Sequence, residues 1–69
     1  MTKPVRYEFR LAEPVSERAA CAFPELVLVT GSARNVLHGR VRDQSQLYGL
    51  LARFQTLGLT LVELRRLAD

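Results

Sequence analysis

The chain has little of what small domains use to hold themselves together covalently or through a metal. It contains one cysteine and one histidine. One cysteine cannot form a disulfide within the chain, and a structural zinc site needs four ligands of the Cys and His type. We therefore expect no metal and no cofactor. Stability must then come from packing or from association with a second copy.

Long apolar segments are also missing. Apolar runs such as Leu26–Val29 are far shorter than the roughly 20 residues that span a membrane. Residues 1–10 contain no apolar signal-peptide core. We expect a cytoplasmic protein without membrane contact, which the lone Cys21 also favours. The length predicts one domain, residues 1–69, with a marginal core, since such a chain buries only about 60% of its unfolded surface.

Lysine is scarce, because nine of the ten basic residues are arginine and the formal net charge is +3. A mild positive charge permits binding of nucleic acid or other anions without establishing it. The sequence has no phosphate-binding glycine loop and no nucleophile elbow. We therefore expect a non-enzymatic protein with no catalytic residue. Cys21 is expected to be a buried, inert thiol.

The first half of the chain predicts a strand, a short helix and a hairpin. Val5–Leu11 alternates strictly between apolar and charged residues, which is typical of a half-buried strand. Ser16 suits the N-cap of a helix that stops before Pro24. The segment at 26–30 is apolar on both faces, which predicts a strand covered on two sides. A turn at 31–35 and a strand at 36–42 would complete the hairpin.

The second half predicts a capped amphipathic helix and a last strand. Asp43 and Gln46 have the spacing of a capping box. The apolar face of this helix comprises Leu47, Leu50, Leu51, Phe54 and Leu57. Gly58 suits the helix C-cap, and the last strand runs over 59–67. Gly49 costs a helix interior about 1 kcal/mol relative to alanine, which predicts a close neighbour there.

The order strand, helix, strand, strand, helix, strand predicts a ferredoxin-like α+β sandwich. Its four-stranded antiparallel sheet would have strands 1 and 3 at the centre and both helices on one face. Facing the helices we expect Val5, Tyr7, Phe9, Leu11, Leu37 and Val41. The other face would carry Arg6, Glu8, Arg10, Val36, His38, Arg40 and Arg42. The register of strand 4 is ambiguous, and one register adds Leu59, Leu61, Glu63 and Arg65.

This open face has three interpretations. The arginines can simply pair with Glu8 and Glu63 and cover the sheet from water. The face can be an interface for a second copy or a partner protein, with arginine–glutamate pairs fixing the register. It can also bind phosphates of nucleic acid, although Tyr7 and Phe9 point inward and cannot stack on bases. We expect an interaction domain, most simply a homodimer, with anion or nucleic-acid binding as the alternative. A small enzyme working around His38 is the last possibility.

The C-terminal half resembles a group of small uncharacterised actinobacterial proteins with the pattern G-x-V-x-D-Q-x-x-L-x-G-L-L-x-R-x-x-x-L-G-L-x-L-x-E-x-R-R. The matching residues are Gly39, Val41, Asp43, Gln44, Leu47, Gly49, Leu50, Leu51, Arg53, Leu57, Gly58, Leu59, Leu61, Glu63, Arg65 and Arg66. The resemblance covers about half of the chain and implies a small stand-alone domain rather than a reaction.

The segment at 50–59 also resembles ligand-binding regulatory domains of the ACT type, which share the βαββαβ order. That resemblance implies a small-ligand sensor, of amino acids in particular. ACT-type domains carry Asp and Gly in the loop before helix 1, whereas this chain has Ala-Glu-Pro-Val-Ser-Glu at 12–17.

Overall fold

Residues 3–31 and 33–68, described by a computed structural model, form four strands and two helices in the predicted order. The elements are β1 (Val5–Leu11), α1 (Glu17–Ala20), β2 (Val27–Leu28), β3 (Val36–Val41), α2 (Gln44–Thr56) and β4 (Leu61–Leu67). The strands pair antiparallel in the order β2-β3-β1-β4. The predicted ferredoxin-like fold is therefore confirmed. Ser32, which belongs to the predicted turn, lies outside the described residues.

The core lies between the sheet and the helices. Phe9 and Leu11 of β1 are fully buried, as is Leu37 of β3. Phe54 of α2 packs against Phe9 at a ring-centroid distance of 5.3 Å and stacks on Phe23 at 4.4 Å. Val41 is buried too, and Val5 and Tyr7 are partly buried. The predicted helix-facing side of β1 and β3 is thus confirmed.

The caps of α2 follow the local sequence closely. Asp43 is the N-cap, and its Oδ1 accepts a hydrogen bond from the N–H of Gln46 at 2.8 Å. The side chain of Gln46 in turn accepts from the N–H of Arg42, one residue before the cap. At the other end Leu57 is the C-cap, and Gly58 adopts a left-handed φ of 74° just beyond it. No helix among the described residues is long and apolar enough to cross a membrane.

Two predictions about the first half are wrong. Helix α1 has only four residues, so Cys21 falls in the turn after it and is exposed rather than buried. Strand β2 is covered on one side only, because both helices pack on the same face of the sheet. Val27 is 57% exposed and Val29 is 43% exposed.

A close approach of the chain to the sheet explains the glycine within β3. A Cβ atom on Gly39 would lie 2.7 Å from the carbonyl oxygen of Glu25 and 2.8 Å from Cδ2 of Leu26. The segment after α1 therefore runs directly over β3 where a side chain is missing. At Gly49 the prediction of a close neighbour within the described chain is wrong, because no atom lies within 4 Å of the position its Cβ would take. Packing of a partner's helix at Gly49 stays a prediction.

Arg53 of α2 holds that same segment in place. Its Nη1 donates to the carbonyl of Ala22 at 2.8 Å and to Oε1 of Glu25 at 3.0 Å. Its guanidinium group also lies 5.3 Å from the ring centroid of Phe23. The pKa of the Glu25 carboxyl is lowered, first by a hydrogen bond from its own backbone N–H and then by Arg53, against an opposing desolvation effect.

The start of β4 is fixed by a carboxylate in the β1–α1 loop. Thr60 donates its N–H and its hydroxyl to the two oxygens of Glu13, each at 2.8 Å. These hydrogen bonds, that of the N–H first, lower the pKa of Glu13.

The registers of β1 and β4 resolve the ambiguity in strand 4. The pairs are Glu8 with Arg65, Phe9 with Leu64, and Arg10 with Glu63. Glu63 and Arg65 therefore reach the open face, as one predicted register requires. A β-bulge after Arg10 then pairs Leu11 with Leu61. Leu59 and Leu61 pack against the core, so their expected place on the open face is wrong.

Adding one methyl group at Gly39 should destabilise the fold. We expect Gly39→Ala to lower the free energy of unfolding by about 1–3 kcal/mol, because the carbonyl of Glu25 is backbone and must shift. The matched control is Gly49→Ala, which should raise it by about 0.5–1 kcal/mol through helix propensity alone. Urea unfolding followed by circular dichroism measures both. Equal effects of the two substitutions would contradict the close approach over β3.

Removal of the Glu25 charge should give a pH-dependent loss of stability. Because the folded pKa of Glu25 is lowered, the contribution of its carboxylate to the free energy of unfolding is fully present above the ordinary pKa of the carboxyl. It is lost as the pH falls through the lowered folded value. We expect Glu25→Gln to cost about 1 kcal/mol at pH 7 and to approach wild type in acid. Thermal unfolding across this pH range tests it, and a loss that is independent of pH would exclude the ionic contribution.

Candidate functional site

The candidate site is the sheet face opposite the helices, here called the open face. It is formed by Arg6, Glu8, Arg10, Val27, Val29, Val36, His38, Arg40, Glu63, Arg65 and Leu67. Strand register places them there: even-numbered residues of β1 and β3 share this face with odd-numbered residues of β4 from Glu63 onward. Val27 joins them by pairing with His38. Val29 continues the alternation, and its N–H donates to the carbonyl of Val36 at 2.8 Å.

Four charges of alternating sign run across the centre of the open face. Arg65 Nε lies 3.9 Å from Glu8 Oε1, and Arg10 Nη2 lies 3.7 Å from the same oxygen. Arg10 Nε then lies 3.3 Å from Glu63 Oε1. The order is therefore Arg65, Glu8, Arg10, Glu63. Part of the arginine surplus is neutralised within the chain, as expected if the arginines simply pair with Glu8 and Glu63.

Glu8 is the most enclosed of these charges. Its side chain is 20% exposed, and its Oε1 atom is buried without a hydrogen-bond partner. The two arginine nitrogens near it are too distant to donate. His38 is its cross-strand neighbour on β3. A buried carboxylate oxygen without a donor is destabilising, and the two nearby guanidinium groups offset part of that cost.

One end of the open face brings two arginines to opposed positions on neighbouring strands. Arg6 of β1 lies directly opposite Arg40 of β3, and Leu67 of β4 is its other neighbour. Among the described residues, no carboxylate forms an ion pair with Arg6. Like charges in directly opposed positions repel each other, so this pair is a cost to the sheet.

Arg42 is the predicted site residue that the structure places elsewhere. It follows the end of β3, and its Nε lies 3.5 Å from Oδ2 of Asp43. It lines a small cavity of about 80 Å³ on the helix side of the sheet, together with Lys3, Tyr7 and Leu47. The other predicted residues, from Arg6 to Arg65, lie together on the open face.

Sequence reasoning missed Leu67 as a member of the open face. Strict alternation from Glu63 and Arg65 was enough to find it, because the bulge lies between Leu61 and Glu63 and leaves the rest of β4 regular. Val27 and Val29 lie outside the helix layer, and both are exposed. In the described part of the chain, no three His, Cys, Asp or Glu side chains are arranged to hold a metal ion.

These observations define the class of protein: a small ferredoxin-like α+β domain with a charged, aliphatic-edged open sheet face. Residues 6–65 match the family described as a domain of unknown function, DUF8691, and the chain belongs to that family. The match extends from β1 into β4 and includes the central charges of the open face. No curated protein and no solved structure matches the chain.

Neutralising Arg6 should stabilise the fold, whereas the same change at Arg10 should destabilise it. Arg6→Gln removes a like-charge contact with Arg40, and we expect a gain of about 0.3 kcal/mol at low salt. Arg10→Gln leaves both Glu8 and Glu63 with one fewer partner, and we expect a loss of about 1 kcal/mol. Both effects should shrink at 1 M salt. Urea unfolding measures them, and a loss on Arg6→Gln would mean that Arg6 supports the fold.

Proposed function

We propose that the chain is a small, non-enzymatic interaction domain that binds a partner protein through its open face. The observation that carries this proposal is the exposed aliphatic area of Val27 and Val29, which lies beside the charged centre of the face. A partner that lays apolar side chains over these two valines would remove their exposed area from water. Burial of that area favours association.

The surroundings of Glu8 support a protein partner. Val27 and Val29 are about half exposed, lie on neighbouring positions of the same face, and supply apolar area for burial. The charged centre beside them is the row Arg65, Glu8, Arg10 and Glu63. It fixes the orientation of a partner, because a wrongly placed partner would set like charges against each other. Aliphatic area beside a defined charge pattern is the combination expected of a specific protein interface.

Anion or nucleic-acid binding is the second candidate. Its support is Arg6, which has no carboxylate partner among the described residues and is open to a phosphate. The neighbouring arginines, Arg10 and Arg65, already lie within 4 Å of carboxylates. Of these three arginines, Arg6 is therefore the one that a phosphate would contact. Binding there would be weak and sensitive to salt.

Val27→Asp should abolish partner binding without unfolding the domain. Val27 is 57% exposed, so the substitution costs the fold little, whereas it places a carboxylate in the apolar part of the proposed interface. We expect affinity for proteins captured from an extract of the source cells to fall about tenfold or more. The control is Tyr48→Asp, which changes an equally exposed side chain on α2, on the opposite layer, and should retain the partner.

Three outcomes of this experiment differ in meaning. Loss in Val27→Asp alone supports a protein partner on the open face. Equal retention by both variants contradicts it. Salt-sensitive binding to an oligonucleotide that is reduced in Arg6→Gln but not in Val27→Asp would favour the second candidate.

A further inference from the structure

The two edges of the sheet differ in length. The sheet order β2-β3-β1-β4 makes β2 and β4 the edge strands among the described residues. Strand β2 has two residues, whereas β4 has seven. A very short edge offers little for another strand to pair with, but a long edge presents a row of unpaired backbone groups. The edge of β4 is therefore where a further strand can pair with this sheet.

The direction of the backbone groups along β4 follows from two hydrogen bonds of β1. Leu11 N–H donates to the carbonyl of Asn35, on the β3 side, at 2.8 Å, and Ala12 N–H donates to Thr60, on the β4 side, at 2.8 Å. Backbone groups alternate along a strand, so even-numbered residues of β1 bond to β4. Their partners on β4 include Arg65. The backbone groups of Leu64 and Arg66 consequently point outward.

We propose that two copies of this chain pair antiparallel through β4, with Leu64 opposite Leu64, to form one continuous sheet. This register brings the outward-pointing backbone groups of Leu64 in both copies together, and it places Arg66 opposite Val62, the extra residue of the bulge. It also places Glu63 of each copy opposite Arg65 of the other. The segment Val-Glu-Leu-Arg-Arg at 62–66 is thus complementary to itself when read in the opposite direction.

Charge selects this register over its neighbours. Glu63 and Arg65 would form a non-hydrogen-bonded pair, the kind in which opposed side chains lie closest, at about 4.5 Å between Cα atoms. Shifting the pairing by two residues in one direction sets Arg65 against Arg65, and shifting it in the other sets Glu63 against Glu63. Both alternatives oppose like charges. A shift by one residue would set outward backbone groups against inward ones.

The pairing also covers apolar surface that is exposed in one copy. Val62 is 61% exposed and Leu64 is 37% exposed, and both lie at the proposed joint. The two-fold axis would run perpendicular to the sheet, so that the helices of both copies stay on one side. The two open faces would then lie side by side on the other side. This inference goes beyond the proposed function, because the open face stays available to a partner.

Charge reversal tests both the joint and its register. In Glu63→Arg, the new arginine would face Arg65 of the second copy, and in Arg65→Glu the new glutamate would face Glu63. We expect each variant alone to dimerise at least about tenfold more weakly than wild type. An equimolar mixture of the two should form a heterodimer, because every opposed pair then has opposite charges. Light scattering and native mass spectrometry measure the masses, with circular dichroism to verify folding.

Proline substitutions give a second test that does not depend on charge. The N–H of Arg66 points outward, so Arg66→Pro should keep the fold and abolish the dimer. The matched control is Arg65→Pro, which removes an N–H that points toward Glu8 of β1, and it should destabilise the monomer itself. Thermal unfolding and light scattering of both variants separate folding from association.

The outcomes separate this inference from the proposed function. A wild-type chain that stays monomeric at a concentration of about 100 μM overturns the edge pairing, because specific association is typically strong enough to form a dimer at that concentration. So does a mixture of the charge variants that stays monomeric, or a dimer that survives Arg66→Pro. A dimer lost in Val27→Asp but kept in Arg66→Pro would place the second copy on the open face instead. A dimer lost only in the β4 variants supports the pairing, whatever partner binding shows.

Discussion

The alternation of side chains along β1 is the constraint on which the rest of the structure depends. β1 pairs with β3 on one side and with β4 on the other, residue by residue. The face on which each β1 residue lies therefore decides the face of the residues paired with it on β3 and β4. Phe9 lies between Leu37 and Leu64 on the helix side, whereas Glu8 lies between His38 and Arg65 on the open face. A shift of one residue in either pairing would put a charge into the core.

The two helices of the described residues determine what each face of the sheet can be. Helix α1 has four residues and α2 has thirteen, which is enough to cover one face. Because so little helix is available, the segment near Leu26 also has to lie close to the sheet, and Gly39 makes room for it. The opposite face is stabilised by paired charges over the sheet instead of by a second core. Those pairs leave Oε1 of Glu8 without a donor.

The open face and the β4 edge are separate surfaces that meet along one strand. Glu63 and Arg65 belong to both, since their side chains lie on the face while their strand forms the edge. Pairing of two copies at the edge would bring two open faces into one plane and give the charge pattern a two-fold repeat. A partner that contacts both copies would then gain affinity from two linked contacts, without requiring stronger individual ones.

The sequence by itself determined the features that depend on near neighbours. Examples are the alternation of Val5–Leu11, the cap at Asp43 and the left-handed Gly58, because their causes lie within a few residues. Tertiary structure decided the rest: the close approach over Gly39, the contact of Arg53 with Glu25, and the bulge that returns Leu61 to the core. Each of these joins segments far apart in the chain, where local periodicity carries no information about which atoms meet.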